Sequence, residues 1–347
     1  MVEIEIGQME AGKKVHRWLR QVLPGVPLSG IHKMIRTGRV KRNGKRAKAD
    51  DVLVEGDRMG LVMAEADFEQ VSRPVRKYRG VPTDVEIVYE DDDLLVVNKP
   101  AGLLTHGAAG EFKDTLANRV AAHLYARGEL DGARFVPSPA HRLDRNTSGL
   151  VLFAKSAETA RRVADALKDH RIRKWYLAIV RGVVPVEGVV DTPLSRDAGA
   201  NRTLVEARGE AVKEAVTRYR RLAESGRTSV VQIELVTGRT HQIRAHFSHL
   251  GHPLWGDVKY GGARPLTRPA SSGRGDVEGD AARRDRVRSM AGTGTEPHQW
   301  LHAAWLRLED GRMIHAPLPE AFRRTLRRLG YSQEAVRRVD ETPPVSD

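Results

Sequence analysis

The sequence predicts an α+β fold in two domains, and three observations carry that prediction. A chain of 347 residues exceeds one average core and suits two. Several strand-length runs follow one another directly (Lys174 to Val180, Ala215 to Leu222, Ser229 to Val236), while helical stripes lie elsewhere, so the main sheet should be mixed, mostly antiparallel and flanked by helices. A compact basic stretch at the start gives way to a polar segment holding Pro74 and Pro82, after which a new apolar pattern begins at Val85. The expected division is 1–65 for a small first domain, 66–83 for a linker, 84–330 for the larger domain and 331–347 for a C-terminal tail.

In the first domain, Met1 to Ile6 alternates apolar and acidic residues, which suits an edge strand and not a signal peptide. Residues 13–23 carry Val15, Trp18, Leu19, Val22 and Leu23 on one helical stripe, ended by Pro24-Gly25. Ser29 is the expected N-cap of a second helix through Ile31, Met34 and Ile35. Gly38 turns the chain into a strand at Val40, and Asn43-Gly44 is a hairpin signal. Further short strands flank the turn Glu55-Gly56-Asp57.

The larger domain opens with strands at Ile87–Val88 and Leu94–Val97 around Glu90-Asp91-Asp92-Asp93, an acidic run read as a hairpin tip in preference to a metal site. Asn98 to Gly102 is a rigid turn and Thr115 to Ala126 a helix. Leu150 to Ala154 is a buried strand, and Ser156 caps a helix whose stripe is Ala160, Val163, Ala164 and Leu167. Thr240 to Leu250 should be helical, with Gly251 and Pro253 stopping it. Residues 262–297 are rich in Gly, Ser, Arg and Asp without periodicity, as in a disordered insertion. Strands resume at Leu301–Leu308 and Met313–His315, and a last helix opens with Pro319 and closes at Gly330, followed by a C-terminal tail expected to lack order beyond Glu341.

Composition narrows the function. Cysteine is absent, so there is neither disulfide nor thiolate chemistry, and no apolar run approaches the ~20 residues that span a bilayer. Both facts favour the cytoplasm. The net charge is +13, a balance that points to a polyanionic partner such as nucleic acid. Between Lys13 and Lys48 lie 12 Lys/Arg and no Asp or Glu, nearly the whole excess of the chain. An ordinary solvated surface would intersperse the signs. The stretch Leu28 to Val40, with Asn43-Gly44-Lys45-Arg46 and Glu55-Gly56-Asp57, resembles the S4 RNA-binding domain, although Arg42 stands where that family has an apolar strand residue. The resemblance implies RNA contacts by Lys33, Arg36, Arg39, Lys41, Arg42, Lys45 and Arg46.

Two constellations bear on chemistry. The first is His141 to Gly149 (HRLDRNTSG), a polar loop feeding the buried strand at Leu150. Arg142 and Arg145 flank Asp144 and should keep it ionised. Such a carboxylate can act as a nucleophile, or stabilise positive charge on a sugar, or simply pair with arginine and cap the loop. The second is Thr237 to Phe247 (TGRTHQIRAHF), where His241 and Arg244 should share one face while Ile243, Phe247 and Leu250 face the core. The histidines at 241, 246, 249 and 252 fit no standard metal spacing, apart from His246 and His249 one turn apart.

Both constellations resemble those of the pseudouridine synthases of the RluA/RluC/RluD family. Further matches are Val97 to Leu104, Lys174 to Ala178, His252 to Asp257 and Leu301-His302-Ala303, all in the family's order between about residue 84 and 330. With the S4-like segment in front, the layout is similar to the RluC branch. The insertion at 262–297 departs from the family's shorter connection. The resemblance implies isomerisation of uridine to pseudouridine in structured RNA, with large-subunit ribosomal RNA as the preferred substrate and transfer RNA as the alternative. It implies a reaction that needs no cofactor and no metal, in a monomeric protein. Asp144 would be the catalytic carboxylate, attacking covalently or stabilising a glycal or oxocarbenium-like species. Arg244 would pair with it, Tyr176 would stack on the uracil and assist removal of the C5 proton, and Arg142 would enter the space left by a flipped base. Lys99-Pro100 and His302 match motifs in structural more than chemical roles.

Two rival readings carry different signatures. A non-catalytic RNA-binding or ribosome-assembly factor on the same fold would be expected to have lost Asp144 or Tyr176, and both are present. A hydrolase would need a second acidic group beside Asp144, and neither the Asp144 loop nor the segment from Thr240 supplies one.

Overall fold

The computed structural model describes residues 1–72, 78, 80–107, 110–130, 135–197, 202–205, 212–261 and 299–345. The predicted insertion at 262–297 lies outside the described residues. The chain divides into two compact units, Met1–Arg79 and Gly80–Asp347.

The first unit is a four-stranded antiparallel sheet with three helices. In chain order it runs β1 (Val2–Glu5), α1 (Val15–Val22), α2 (Leu28–Arg36), β2 (Val40–Arg42), β3 (Lys45–Arg46), β4 (Arg58–Leu61) and α3 (Glu65–Ser72), with sheet order β1-β4-β2-β3. Asn43 and Gly44 both take positive φ (51° and 80°), the conformation a tight two-residue hairpin needs and these two residues tolerate. The expected stripe Val15, Trp18 and Leu19 is buried and packs with Ile31, Ile35, Val40 and Leu61.

Two expectations need correction here. Ser29 does not cap α2; the N-cap is Pro27, whose ring fixes φ at −64° and which has no N–H to lose, and its carbonyl accepts from Ile31. The linker predicted at 66–83 begins as helix: α3 lays Phe68 and Val71 against the first unit's core. Gly25 donates its N–H to the Val71 carbonyl at 2.9 Å, and a Cβ at Gly25 would sit 3.0 Å from the Val71 backbone.

The second unit is built on a ten-stranded sheet. Its strands are β5 (Glu86–Glu90), β6 (Leu94–Lys99), β7 (Ser138–Pro139), β8 (Ser148–Ala154), β9 (Arg173–Arg181), β10 (Glu187–Asp191), β13 (Val216–Glu224), β14 (Thr228–Leu235), β15 (Leu301–Arg307) and β16 (Met313–His315). A separate hairpin pairs β11 (Leu194–Asp197) with β12 (Arg202–Val205). The main order is β10-β13-β14-β9-β15-β8-β6-β5, with β16 on β15 and β7 on β8. Every pairing is antiparallel except β15 with β8, so the sheet is mixed and mostly antiparallel, as expected.

Helices α4 (Leu116–Ala126), α5 (Ala157–Lys168), α6 (Gln242–His249), α7 (Glu320–Arg328) and α8 (Gln333–Glu341) cover the sheet. Ser156 caps α5 as expected, accepting from Thr159 N–H at 3.0 Å. At the acidic tip, the Asp91 carboxylate accepts from the Asp93 and Leu94 N–H groups, the local bonding of a turn.

The C-terminal segment predicted as a tail contains α8. Ser332 caps it through Ala335 N–H, and Val336 and Val339 bury against the α7 side chains Phe322 and Leu326. Helix α6 starts two residues later than predicted. The Gln242 side chain accepts from Arg239 N–H, and His241 precedes the helix in the left-handed region at φ 54°, so the first turn cannot include Thr240. Ile243 and Phe247 are buried as expected, but Leu250, at the helix end, is exposed.

Strand β8 places the site. All seven of its residues are buried, and the loop before it holds Asp144. Gly149 has φ 110°, and a Cβ there would lie 2.2 Å from the Ala303 carbonyl oxygen, so only glycine permits β8 and β15 to pair at this point.

Candidate active site

Backbone grips on both sides of Asp144 fix the loop. Upstream, Thr105 Oγ1 donates to the Leu143 carbonyl at 2.9 Å and accepts the Leu143 N–H at 3.1 Å. Downstream, the Arg145 carbonyl accepts from Gly102 N–H at 2.9 Å and from Lys99 Nζ at 2.9 Å. Lys99 is fully buried and also donates to the carbonyls of Pro100 and Leu103, both at 2.8 Å, so its three N–H bonds are all used. Burial pulls its pKa down to about 7, with nearby Asp144 acting in the opposite direction.

His302 is equally structural. Its Nε2 donates to the Ala316 carbonyl and its Nδ1 accepts from Ser148, which ties β15 to the start of β8; burial lowers its pKa to about 4. His141 is also held neutral by burial, at about 3, and its Nε2 accepts from Leu152 N–H.

The flanking arginines do not do what the linear sequence suggests. Arg145 turns to Glu111, with both nitrogens 3.0 Å from its oxygens, and Arg142 Nη1 lies 3.4 Å from His106 Nε2. The cation that meets Asp144 is Arg244, whose Nη1 donates to Oδ2 at 2.9 Å. Its other edge is clamped by Asp257, at 2.7 Å to Nε and 2.9 Å to Nη2. Burial disfavours the Arg244 charge, but the bonds to Asp257, and then Asp144, outweigh it and raise its pKa. Asp257 is itself buried and accepts from the Lys259 and Tyr260 N–H groups. One planar guanidinium therefore divides its donors between a buried anchor and the Asp144 carboxylate.

His241 adds a second group at the same oxygen, with Nε2 3.8 Å from Asp144 Oδ2. Its Nδ1 lies 3.0 Å from the Tyr260 hydroxyl, which accepts from Thr203 N–H at 2.8 Å. With a carboxylate facing Nε2, the favoured tautomer carries the proton there and accepts from Tyr260 at Nδ1. Burial lowers the His241 pKa, opposed by Asp144 and reinforced by Arg244, which favours the neutral ring. The Arg244 guanidinium also lies 4.9 Å from the centre of the Tyr260 ring. A non-glycine residue held at φ 54° beside the Asp144 carboxylate fits the pattern of backbone strain at functional sites.

Asp144, Arg244, His241 and Arg142 line a cleft of ≈ 360 Å³ together with Tyr176, Leu235 and Leu301. Tyr176 is buried on β9, opposite Ala303 of β15 and Ile233 of β14. Burial, with Asp144 adding to it, pushes its phenol well above the ordinary value, so it is neutral. Among the described residues, Asp144 Oδ1 accepts no hydrogen bond, and the cleft offers no second carboxylate as a partner for hydrolysis.

Comparison with known proteins covers the segments that carry Asp144, Tyr176, His241 and Arg244. The family of RNA pseudouridylate synthases matches residues 93–249. The chain is 32% identical over 341 residues to the ribosomal large subunit pseudouridine synthase D of Pseudomonas aeruginosa, covering 96% of each chain. It is 34% identical over 335 residues to the ribosomal large subunit pseudouridine synthase C of Escherichia coli, covering 92% of this chain and 94% of that one. The chain belongs to the RluA/RluC/RluD family of RNA pseudouridine synthases. It is therefore an isomerase. Among solved structures, human RNA pseudouridylate synthase domain containing 4 shares the fold with a TM-score of 0.52 and 25% identity, covering 70% of this chain and 92% of that one.

Within the synthase, the structure brings together Asp144, Arg244, Tyr176 and Arg142 around one cleft. Sequence reading missed the role of Asp257, although it lies in the matched segment His252 to Asp257, and missed Tyr260 and Thr203 entirely. In the N-terminal unit, Lys33, Arg36, Arg39, Lys45 and Arg46 are exposed and Lys41 and Arg42 half-buried. Two of these seven have local duties. Arg42 pairs with buried Asp57 at 2.6 Å, and Arg46 donates to the Arg36 carbonyl at the end of α2. Among the described residues, no helix is long and apolar enough to cross a membrane.

Proposed function

We propose that this synthase isomerises uridine to pseudouridine in large-subunit ribosomal RNA, with Asp144 as the catalytic carboxylate. The supporting observation is the arrangement at Asp144: Arg244 and His241 both address Oδ2, and Oδ1, on a side chain that lines the cleft, accepts no hydrogen bond among the described residues. In the reaction the C1′–N1 bond breaks, the uracil rotates, and a C1′–C5 bond forms, while the C5 proton is lost and N1 gains one. Atoms balance, so no redox partner is needed. Oδ1 is the oxygen suited to meet C1′, either as nucleophile or as the anion facing an oxocarbenium-like or glycal species. Arg244 orients the carboxylate, and the neutral Tyr176 ring stacks on the uracil while it is detached. A neutral phenol is a poor base, which favours stacking over phenolate-driven loss of the C5 proton. Arg142, at the cleft mouth, occupies the place of the flipped base.

The N-terminal unit is read as an S4-like RNA-binding domain. Its exposed Lys33, Arg36, Arg39 and Lys45 supply phosphate contacts, with Lys41 and Arg46 beside them, and these position the RNA while the cleft reads the base. The ribosomal substrate is supported by the names of the relatives from Pseudomonas aeruginosa and Escherichia coli.

The test is a pseudouridine map of ribosomal and transfer RNA from cells lacking the protein, complemented with the parent chain or with Asp144→Asn. Sites restored by the parent alone support the assignment. Identical maps in all strains, with both proteins expressed, would overturn it.

A further inference from the structure

Tyr260 ends the short helical turn Val258–Tyr260 and is buried against Leu194, Ala215 and Ala245, with Val205 beside them. An aromatic ring suits such an apolar setting, but a phenol also brings a hydroxyl that needs partners there. It has two. The Thr203 N–H donates to the hydroxyl oxygen at 2.8 Å, and His241 Nδ1 lies 3.0 Å from the same oxygen. An amide N–H can only donate, so the Tyr260 oxygen accepts from Thr203 and its own proton is left for His241 Nδ1. The two rings meet edge to face, with centroids 5.7 Å apart and planes at 75°.

Both groups that address Asp144 Oδ2 run back to this residue. The Arg244 guanidinium lies 4.9 Å from the Tyr260 ring centre, and the Tyr260 N–H donates to Asp257 Oδ1, the oxygen that also takes Arg244 Nη2. His241 is reached by the hydroxyl. Support comes from β12 of the β11–β12 hairpin. Thr203 Oγ1 donates to the Thr240 carbonyl at 2.7 Å, one residue before His241, while its N–H holds the hydroxyl. One residue of β12 therefore fixes both the backbone that enters the φ 54° position and the phenol that meets the side chain there. A hydroxyl that donates to Nδ1 leaves the proton of the neutral imidazole on Nε2, 3.8 Å from Asp144 Oδ2. The opposite tautomer would turn a lone pair toward the carboxylate and deprive the Tyr260 proton of its acceptor.

We propose that Tyr260 is a positioning residue for the isomerisation, acting on Asp144 along two routes: its hydroxyl through His241 and its ring through Arg244, with Thr203 of the β11–β12 hairpin holding the hydroxyl in place. The inference rests on the reading of Asp144 as the catalytic carboxylate. Tyr260 is 2% exposed and is not among the residues that line the cleft, so its effect falls on the rate with RNA bound and not on RNA affinity.

The experiment uses the full chain and a fragment of large-subunit ribosomal RNA. Single-turnover tritium release from C5-labelled uridine is followed at saturating RNA, and RNA affinity is titrated separately. Tyr260→Phe removes the hydroxyl and keeps the ring, whereas Tyr260→Leu removes both. Each is made in the parent and in His241→Asn. Tyr260→Phe should lower the parent rate about three- to tenfold, the scale of one hydrogen bond, with RNA affinity unchanged. In the His241→Asn background the same substitution should change the rate by less than about twofold, because the hydroxyl has lost the ring it acts through. Tyr260→Leu should bring a further loss in both backgrounds, since Arg244 is present in each. A parent-like rate for Tyr260→Phe would overturn the proposal. So would an equal loss in both backgrounds, which marks a residue that only stabilises the fold. A second readout needs no substitution at Tyr260. With the histidine ring nitrogens of the parent isotopically labelled, the NMR signals of His241 are those lost in His241→Asn. They should show a protonated Nε2 and an unprotonated Nδ1 at neutral pH; a protonated Nδ1 would overturn the hydroxyl route whether or not the variants fold. Failure of the synthase reading is distinct: the parent would release no tritium, while the ring signals would still report the contact between Tyr260 and His241.

Discussion

Arg244→Lys isolates what the divided guanidinium contributes. In the parent, Nε and Nη2 serve Asp257 at 2.7 and 2.9 Å while Nη1 serves Asp144 at 2.9 Å. A lysine keeps the charge but gathers its donors at one nitrogen, which cannot reach both carboxylates in these directions. It will stay with Asp257, because an unpaired buried carboxylate costs about 3–5 kcal/mol. Asp144 then loses a charge-assisted hydrogen bond worth about 1.5–3 kcal/mol. If that bond persists in the transition state, the single-turnover rate at saturating RNA falls roughly ten- to a hundredfold. Urea unfolding should meanwhile shift by less than for Asp257→Asn, which leaves Arg244 buried with half its partners. Tritium release at saturating RNA measures the first effect and a urea titration the second. A well-folded Arg244→Lys enzyme within about threefold of the parent rate would refute the idea that Arg244 aims Asp144, since general charge alone would then suffice.

The same geometry sets three further outcomes. His241→Asn keeps a residue that tolerates φ 54° but removes the ring beside Asp144 and Tyr260; the rate should fall about three- to tenfold with melting temperature retained, and an unchanged rate would reduce His241 to part of the wall. His302 should steepen acid denaturation: its folded pKa, about 4, lies below the unfolded value near 6.5, so its stability is fully present above pH ~6.5 and is lost as pH falls toward 4, up to about 3 kcal/mol. His302→Gln, although less stable at neutral pH, should show a shallower acid limb in urea titrations, with His141 supplying the remainder; an unaltered limb would count against the neutral buried ring. In the N-terminal unit, Lys33→Gln/Arg36→Gln/Arg39→Gln should lower the salt slope of RNA binding by about 0.7–0.9 for each phosphate no longer neutralised, and a slope equal to the parent's would remove these side chains from the RNA interface.

The residues proposed for the chemistry are legible because most of them sit in two crowded polar segments of the chain. His141 to Gly149 and Thr237 to Arg244 each pack polar groups beside an apolar strand or helix, and the resemblance they carry points to Asp144, Tyr176 and Arg244 without any geometry. What escapes is partner choice, which is tertiary. Adjacent charges suggest that Arg142 and Arg145 hold Asp144, yet Arg145 turns to Glu111, 34 residues away. Asp257 reaches Arg244 from a turn in which its own N–H bonds to the Leu254 carbonyl, a closure that no pattern of residue types announces. Tyr260 and Thr203 belong to segments with no motif. Helix α8 escapes for a local reason: its cap, Ser332, opens only nine helical residues with two buried valines, a short signal that reads as tail.

The position of Asp144 is determined several times over, by interactions of different kinds. Thr105 holds the residue before it through both backbone groups, and Lys99 with Gly102 holds the carbonyl of the residue after it. Arg244 fixes one carboxylate oxygen, and Arg244 is itself locked by Asp257. Gly149 allows β8 to pair against β15, which sets the loop's downstream anchor. In the proposed reaction, a carboxylate held in this way would need little reorganisation as charge develops at C1′. The supports are also unequal. Lys99 and Thr105 act on backbone and would degrade aim and stability together, whereas Arg244 and His241 act on one oxygen and should alter the rate with less effect on the fold. That separation lets the positioning of Asp144 be tested apart from the integrity of the loop that carries it.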